Sequence, residues 1–245
     1  MRRFKKAILI IHGFSGGTFD EEYLAHELEL NSKYDVYNFT LPGHDGEFKD
    51  KITYESWIQK CDEEMKFLIN NGYKKIYLVG HSMGGVLACL MASKYPQVKK
   101  LVLGAPAFRI FGFEDGNTDI EDAIKKIPKI AKEYGVNTIF SKFLRMPGNS
   151  VSEFIRFIKD NQNAPCNIKC PTLILRGNDD NVVPEESVVH VFQNLKSIQK
   201  RVIHINGTSH ELFRENTKEY ICKLVLDFFK NTNCIYLFVD QKNEE

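Results

Sequence analysis

The stretch Ile76-Tyr-Leu-Val79-Gly80-His81-Ser82-Met83-Gly84-Gly85, running on into the helix-period segment Met83–Tyr95, decides the fold class. Ile76–Val79 is apolar at consecutive positions, as in a strand covered on both faces of a parallel sheet. A tight turn then opens directly into a helix. Serine at the tip of such a turn adopts unfavourable backbone angles. Side chains at positions 80 and 84 would collide with neighbouring backbone, so both must be glycine. G-x-S-x-G between a strand and a helix is the mark of an exposed nucleophilic serine. The helix N-terminus beside it offers N–H groups and a partial positive charge to an oxyanion. The alternative, a chance glycine-rich turn, explains neither flank.

Outward from this turn, short apolar runs alternate with helical spacing. Ala7–Ile11, Asp35–Phe39, Ile76–Val79, Lys100–Leu103, Thr172–Leu175 and Arg201–Ile205 read as strands. Glu22–Leu30, Tyr54–Ile69, Met83–Tyr95, Glu185–Leu195 and Glu211–Lys230 read as helices. Alternation of this length predicts βαβ units: an α/β fold with a mostly parallel, doubly wound sheet of about six core strands. Residues 107–167 interrupt the rhythm with far more chain than an ordinary connection uses. Asp119–Tyr134 is amphipathic there, with a kink expected at Pro128. A second apolar face comes next at Phe154, Ile155, Phe157 and Ile158. The expected organisation is a core made of 1–106 and 168–245, with 107–167 as a small helical lid. The apolar run Cys234–Val239 fits an edge strand or a packed tail.

Composition excludes several classes. The 245 residues suit one α/β domain, and a chain this long buries a core without disulfides or metals. Hydrophobic residues at 43% and charged residues at 27% are ordinary globular values, which excludes disorder. A net charge of +1 gives no cationic surface for nucleic acid. No apolar run approaches the ~18 residues of a membrane span. The basic start followed by Ala7–Ile11 imitates a signal peptide, but the apolar stretch is too short and His12-Gly13 interrupts it. Cysteines 61, 89, 166, 170, 222 and 234 are scattered, and Cys166-x3-Cys170 has neither redox nor zinc spacing. Free thiols in a reducing cytoplasm are expected.

Ligands of open α/β sheets bind outside the carboxyl ends of strands, so the loop leaving each strand matters most. A serine hydroxyl needs a base, and the base needs an orienting acid. His26 and His190 lie on helical stretches and His204 within a strand, where structural roles suit them. His44, in the loop after the second strand, is a minor candidate. His81 neighbours the serine, with its side chain directed away from the tip. His210 comes after the last strand in Asn206-Gly-Thr-Ser-His210, a loop able to deliver an imidazole to the crevice. For the acid, Arg176-Gly-Asn-Asp-Asp-Asn-Val-Val-Pro184 offers Asp179 and Asp180. Spacing does not separate the two. One of them is expected to be a turn carboxylate bonded to backbone.

With each residue after a different strand, the order serine, aspartate, histidine is that of the α/β-hydrolases. The chain resembles small bacterial serine carboxylesterases and monoacylglycerol lipases of that superfamily. The likeness spans nearly its whole length: His12-Gly-Phe-Ser-Gly16, Pro42-Gly-His44, the Ser82 turn, the inserted lid, Gly177–Pro184 and the His210 loop. Asp180-Asn-Val-Val-Pro184 matches the family's acid loop, so the resemblance selects Asp180. The family's two leading antiparallel strands have no counterpart before residue 7, as in the compact esterases it resembles.

Such a resemblance implies an α/β-hydrolase fold, the triad Ser82, Asp180 and His210, and oxyanion donors at the backbone N–H of Phe14 and Met83. A donor of this kind contributes roughly 2.7–4 kcal/mol to the transition state. For His12 the competing reading is a strand-ending histidine bonded only to backbone. The implied reaction is hydrolysis of short- to medium-chain acyl esters or monoglycerides through an acyl-enzyme. No metal or organic cofactor is expected, since neither H-E-x-x-H, a P-loop nor a dinucleotide fingerprint is present. The expected partner is a small acyl ester; nothing specifies an oligomeric state. Thioester, amide or carbon–carbon cleavage uses the same triad. A silent ligand-binding protein on this fold is the rival class, while a dehalogenase or epoxide hydrolase would place aspartate at position 82. Phe108, Phe111, Phe113, Phe140, Phe143, Phe154 and Phe157 either pack the lid or line an acyl pocket.

Overall fold

The computed structural model describes residues 5–44, 52–110, 146 and 149–230. Among them β1 (Lys6–Ile11), β2 (Asp35–Asn38), β3 (Lys75–His81), β4 (Val98–Gly104), β5 (Thr172–Gly177) and β6 (Lys200–Ile205) form one sheet in the order β2-β1-β3-β4-β5-β6. Every neighbouring pair is parallel. The described helices are α1 (Glu22–Asn31), α2 (Tyr54–Asn70), α3 (Met83–Lys94), α4 (Ser150–Asp160), α5 (Glu185–Asn194) and α6 (Lys218–Lys230). From β1 the chain passes outward to β2, then crosses back to β3 on the other side. The strand order therefore reverses between β1 and β3, and the crevice for a ligand opens there.

Burial explains the consecutive apolar runs. Ala7–Ile11 of β1 and Leu101–Leu103 of β4 are wholly buried, because helices cover both faces of the sheet. α3 is apolar nearly all round and buries Met83, Val86, Leu87, Ala88, Cys89 and Met91. A helix without a polar face belongs inside. It passes so close to the end of β1 that a Cβ on Gly84 would lie 2.1 Å from the Ile11 carbonyl oxygen. A Cβ on Gly80 would lie 2.3 Å from the Gly84 carbonyl oxygen. Gly84→Ala is thus expected to lose roughly 3 kcal/mol or more, since neither backbone segment can yield cheaply. Denaturant midpoints check it, with Gly72→Ala as comparison: that position has open space and only a positive φ. Equal losses at both would show that the close approach is tolerated.

α4 lies within the stretch expected to form a lid, and turns Phe154, Ile155, Phe157 and Ile158 inward. Its Glu153 is also buried; Oε2 accepts the backbone N–H of Tyr54 at 3.0 Å. A carboxylate from one helix thereby satisfies an unpaired donor in the first turn of α2. The expected helix Asp119–Tyr134, Phe111, Phe113, Phe140, Phe143 and the run Cys234–Val239 lie outside the described residues.

One element differs from expectation. The last helix starts at Lys218, whereas its apolar pattern extends back to Glu211. In the intervening turn Leu212 and Phe213 are buried beside Gly104, and Glu215 Oε2 accepts the backbone N–H of Ser209 at 2.8 Å. Packing and this side-chain bond win over helical propensity. The His210 loop is longer and better anchored as a result.

Candidate active site

Ser82 sits between β3 and α3 with φ +53°, the left-handed region that costs a side chain energy. The strain is held from several directions. Ser82 N donates to Gly104 O at 2.8 Å, and Ser82 O accepts from Gly85 N at 2.9 Å and Ala107 N at 3.1 Å. Its Oγ lies 3.0 Å from His210 Nε2. On the other side of the ring, Nδ1 lies 3.0 Å from Asp180 Oδ2. A carboxylate only accepts, so Nδ1 carries the proton and Nε2 turns a lone pair toward the Ser82 hydroxyl. The three expected residues are brought together, all buried, from the ends of β3, β5 and β6.

Burial alone would raise the Asp180 carboxyl. The His210 imidazole and the backbone amides outweigh it and hold the group below the usual carboxylate range. Those amides are Val182 and Val183, each 2.9 Å from Oδ1. Asp179 is exposed, and its backbone N–H donates to Thr208 O at 3.0 Å. The Asp180 loop is pinned further by the buried Arg176, whose Nη2 and Nε donate to the Asp180 and Val183 carbonyls at 3.4 Å. It packs backbone against backbone on the His210 loop: a Cβ on Gly177 would sit 2.0 Å from Thr208 O.

A depressed carboxyl fixes the sign of a pH effect. The unfolded state binds the proton first, so the contribution of Asp180 to stability is present above the unfolded value, ~3.9, and is lost as pH falls through the lower folded value. Urea midpoints of wild type and Asp180→Asn are expected to converge as pH drops from 7 toward 3. A constant gap between the two curves would contradict this.

The loop after β1 flanks the serine. A Cβ on Gly13 would lie 3.1 Å from Ser82 Cβ, which brings the Gly13–Phe14 segment alongside Ser82. Met83 is the first residue of α3. His12 is buried; Nδ1 is 2.8 Å from Gly13 O, and Nε2 accepts the Leu41 N–H at 3.0 Å. Burial, then the neighbouring His44, lower its pKa to about 3, so it is a neutral clamp on this loop. Both ring nitrogens of His12 thus bond backbone groups. Phe14 stacks on Phe154 of α4, ring centroids 4.6 Å apart, beside Trp57 and His44. His44 thus sits in an aromatic cluster under the loop.

Spacing did not reveal Ser187, whose Oγ donates to Pro106 O at 2.6 Å and accepts from the N–H of Phe108 at 2.9 Å and of Arg109 at 3.0 Å. It holds the exit of β4 in place. Glu21 and Asp20 were equally invisible, because nothing in a local pattern marks a carboxylate for burial.

Residues 6–134 match the family described as alpha/beta hydrolase fold. This chain belongs to that family. As an α/β-hydrolase-fold protein it also matches, over 119–217, the family described as serine aminopeptidase, S33. It is 25% identical over 227 residues to the thermostable monoacylglycerol lipase of Bacillus sp. (strain H-257), covering 91% of this chain and 89% of that one. It is 22% identical over 231 residues to a carboxylesterase of Bacillus subtilis (strain 168), covering 92% of each. A solved structure from a pair of metagenome-derived lipolytic enzymes superposes with a TM-score of 0.74 at 19% identity, over 92% of this chain and 94% of that chain. Among the described residues no helix is long and apolar enough to cross a membrane.

Proposed function

We propose that this α/β-hydrolase-fold chain hydrolyses carboxylic esters, with Ser82 as nucleophile, His210 as general base and then acid, and Asp180 as the group that orients the imidazole. The unbroken hydrogen-bond chain from Asp180 through His210 to Ser82 carries the reading. Ser82 Oγ attacks the ester carbonyl carbon while its proton passes to His210 Nε2. The carbonyl electron pair moves onto oxygen, and the backbone N–H groups of Phe14 and Met83 receive that oxyanion. Asp180 stabilises the imidazolium. Collapse expels the alcohol, which takes the proton from Nε2 and leaves an acyl ester on Ser82. Water, deprotonated by the same nitrogen, attacks the acyl carbon. The acid departs, and Ser82 regains its proton.

Short- to medium-chain acyl esters or monoglycerides are the proposed substrates. Support comes from the two relatives described above and from the aromatic cluster of Phe154, Trp57 and Phe157 around Phe14, in the loop after β1. We assign 107–167 the role of a lid on the core of 1–106 and 168–245, and the scattered cysteines favour a reducing cytoplasm. The serine aminopeptidase description of the second matching family favours amides as the second reading.

A serine-reactive phosphonate and a substrate panel test this together. Covalent mass gain on the peptide containing Ser82 is expected, with turnover rising along an apolar acyl series and exceeding that on peptide amides and thioesters. A folded protein that takes no label at Ser82 removes the nucleophile. A labelled enzyme indifferent to acyl length removes the substrate assignment alone.

A further inference from the structure

Beside the triad lies a second histidine–carboxylate pair that the reaction does not use. His81 precedes the nucleophile, and its ring points away from Oγ toward the start of α1. Nδ1 is 3.0 Å from Glu21 Oε1, and Nε2 is 2.9 Å from the backbone carbonyl oxygen of His210. Both ring nitrogens therefore face acceptors. The ring lies 5.1 Å, centroid to centroid, from that of His210. Glu21 is fully buried, and its Oε2 has no hydrogen-bond partner among the described residues. A buried carboxyl oxygen left unsatisfied opposes folding, so a second reason to keep it is called for.

The preceding residue makes a parallel tie. Asp20 Oδ2 accepts the Gly17 N–H at 3.2 Å within the loop that carries Phe14. Its other oxygen, Oδ1, accepts from Arg214 Nη1 at 2.6 Å, four residues past the base. Gly16 lies tight against the same carboxylate. Two adjacent acids thus hold two loops: one supplies the base, and the other supplies the proposed oxyanion donor Phe14.

We propose that Asp20 and Glu21 form a positioning corner that fixes the His210 loop against the Phe14 loop, Glu21 acting through the His81 ring and Asp20 through the Arg214 guanidinium. This rests on the ester-hydrolase reading of the same site. Electrostatics support it: burial disfavours a charged His81, but Glu21 overrides burial and raises the ring's pKa to about 9. Burial pushes the Glu21 carboxyl up in turn. The protonated ring presents one N–H to Glu21 Oε1 and the other to the carbonyl of His210.

The geometry gives the corner a kinetic signature. A shift of ~1 Å in a reacting group can cost about a hundredfold in rate without altering ground-state binding. Arg214 is half exposed, so its variants are expected to fold. Arg214→Gln and Asp20→Asn are each expected to lower kcat by roughly three- to tenfold at little change in KM, with the double variant no worse than the poorer single, as one shared contact demands. Arg214→Lys is expected to recover most of the rate. Glu21→Gln, which keeps a polar partner for Nδ1, is expected to lose less than Glu21→Ala, for which about tenfold or more is expected.

Each variant is assayed well below its melting midpoint, by ester turnover and by the rate of phosphonate labelling at Ser82. Lower midpoints with unchanged kcat and labelling would reduce the corner to a structural brace and overturn the proposal. Additive losses at positions 20 and 214 would overturn it as well. If wild type itself takes no label, the ester-hydrolase reading falls and this inference falls with it. If wild type is labelled and the variants match its rate, this inference alone fails.

Discussion

Ser82→Ala is expected to lower kcat on a chromogenic short-chain ester by about 10⁶, the scale at which a serine hydrolase loses its nucleophile. The structure makes the variant a clean one. The Oγ bonds His210 Nε2, so truncation removes one hydrogen bond, worth ~1 kcal/mol, and leaves the turn in place. The backbone bonds to Gly104, Gly85 and Ala107 do not involve the side chain. Alanine bears the φ of +53° at a cost similar to serine, so the unfolding midpoint is expected to move little. KM is expected to stay near its wild-type value, because acyl-chain contacts do not depend on the hydroxyl. Residual turnover comes from the oxyanion donors and from positioning alone, and phosphonate labelling of the peptide disappears. A purified Ser82→Ala protein that turns over ester at the wild-type rate refutes the nucleophile assignment and, with it, the acyl-enzyme.

The turn around Ser82 was legible because its physics is local: two glycines forced by close backbone approach, an apolar strand before and an apolar helix after. His210 was legible by position, after the last strand. Neither needed knowledge of distant contacts. Asp180 was legible only through resemblance. Adjacent aspartates carry the same local pattern, and the difference between them is tertiary: Asp180 is buried against His210 and two amides, whereas Asp179 is exposed. Glu21 illustrates the same limit. It looks like an ordinary acidic residue at a helix start, yet it is wholly buried because His81, sixty residues later, turns toward it. The start of α6 at Lys218 has the same cause, since the apolar spacing of Leu212 and Phe213 serves burial beside Gly104 and not a helix. Local pattern locates elements; long-range pairing decides which charged groups go inside.

Asp180→Asn is expected to lower kcat by about 10⁴ while leaving the fold intact, as the same replacement does in a Ser-His-Asp hydrolase of another fold. The reason lies in proton direction. In the variant, the side-chain carbonyl oxygen at position 180 still accepts the N–H groups of Val182 and Val183, so the loop 177–184 keeps its shape. The amide nitrogen, however, faces His210 Nδ1 where a carboxylate oxygen stood. It donates, Nδ1 must accept, and the imidazole proton moves to Nε2, which then faces Ser82 Oγ with a hydrogen where a lone pair is required. The base is present but holds the wrong tautomer. Asp179→Asn changes only an exposed side chain; its backbone bond to Thr208 O is untouched, and kcat is expected to match wild type. Measured side by side on one ester, the two variants share the same loss of charge and the same size, and differ only in which of two adjacent carboxyls is replaced. A larger loss at 179 than at 180 would show that Asp180 is not the residue that orients His210.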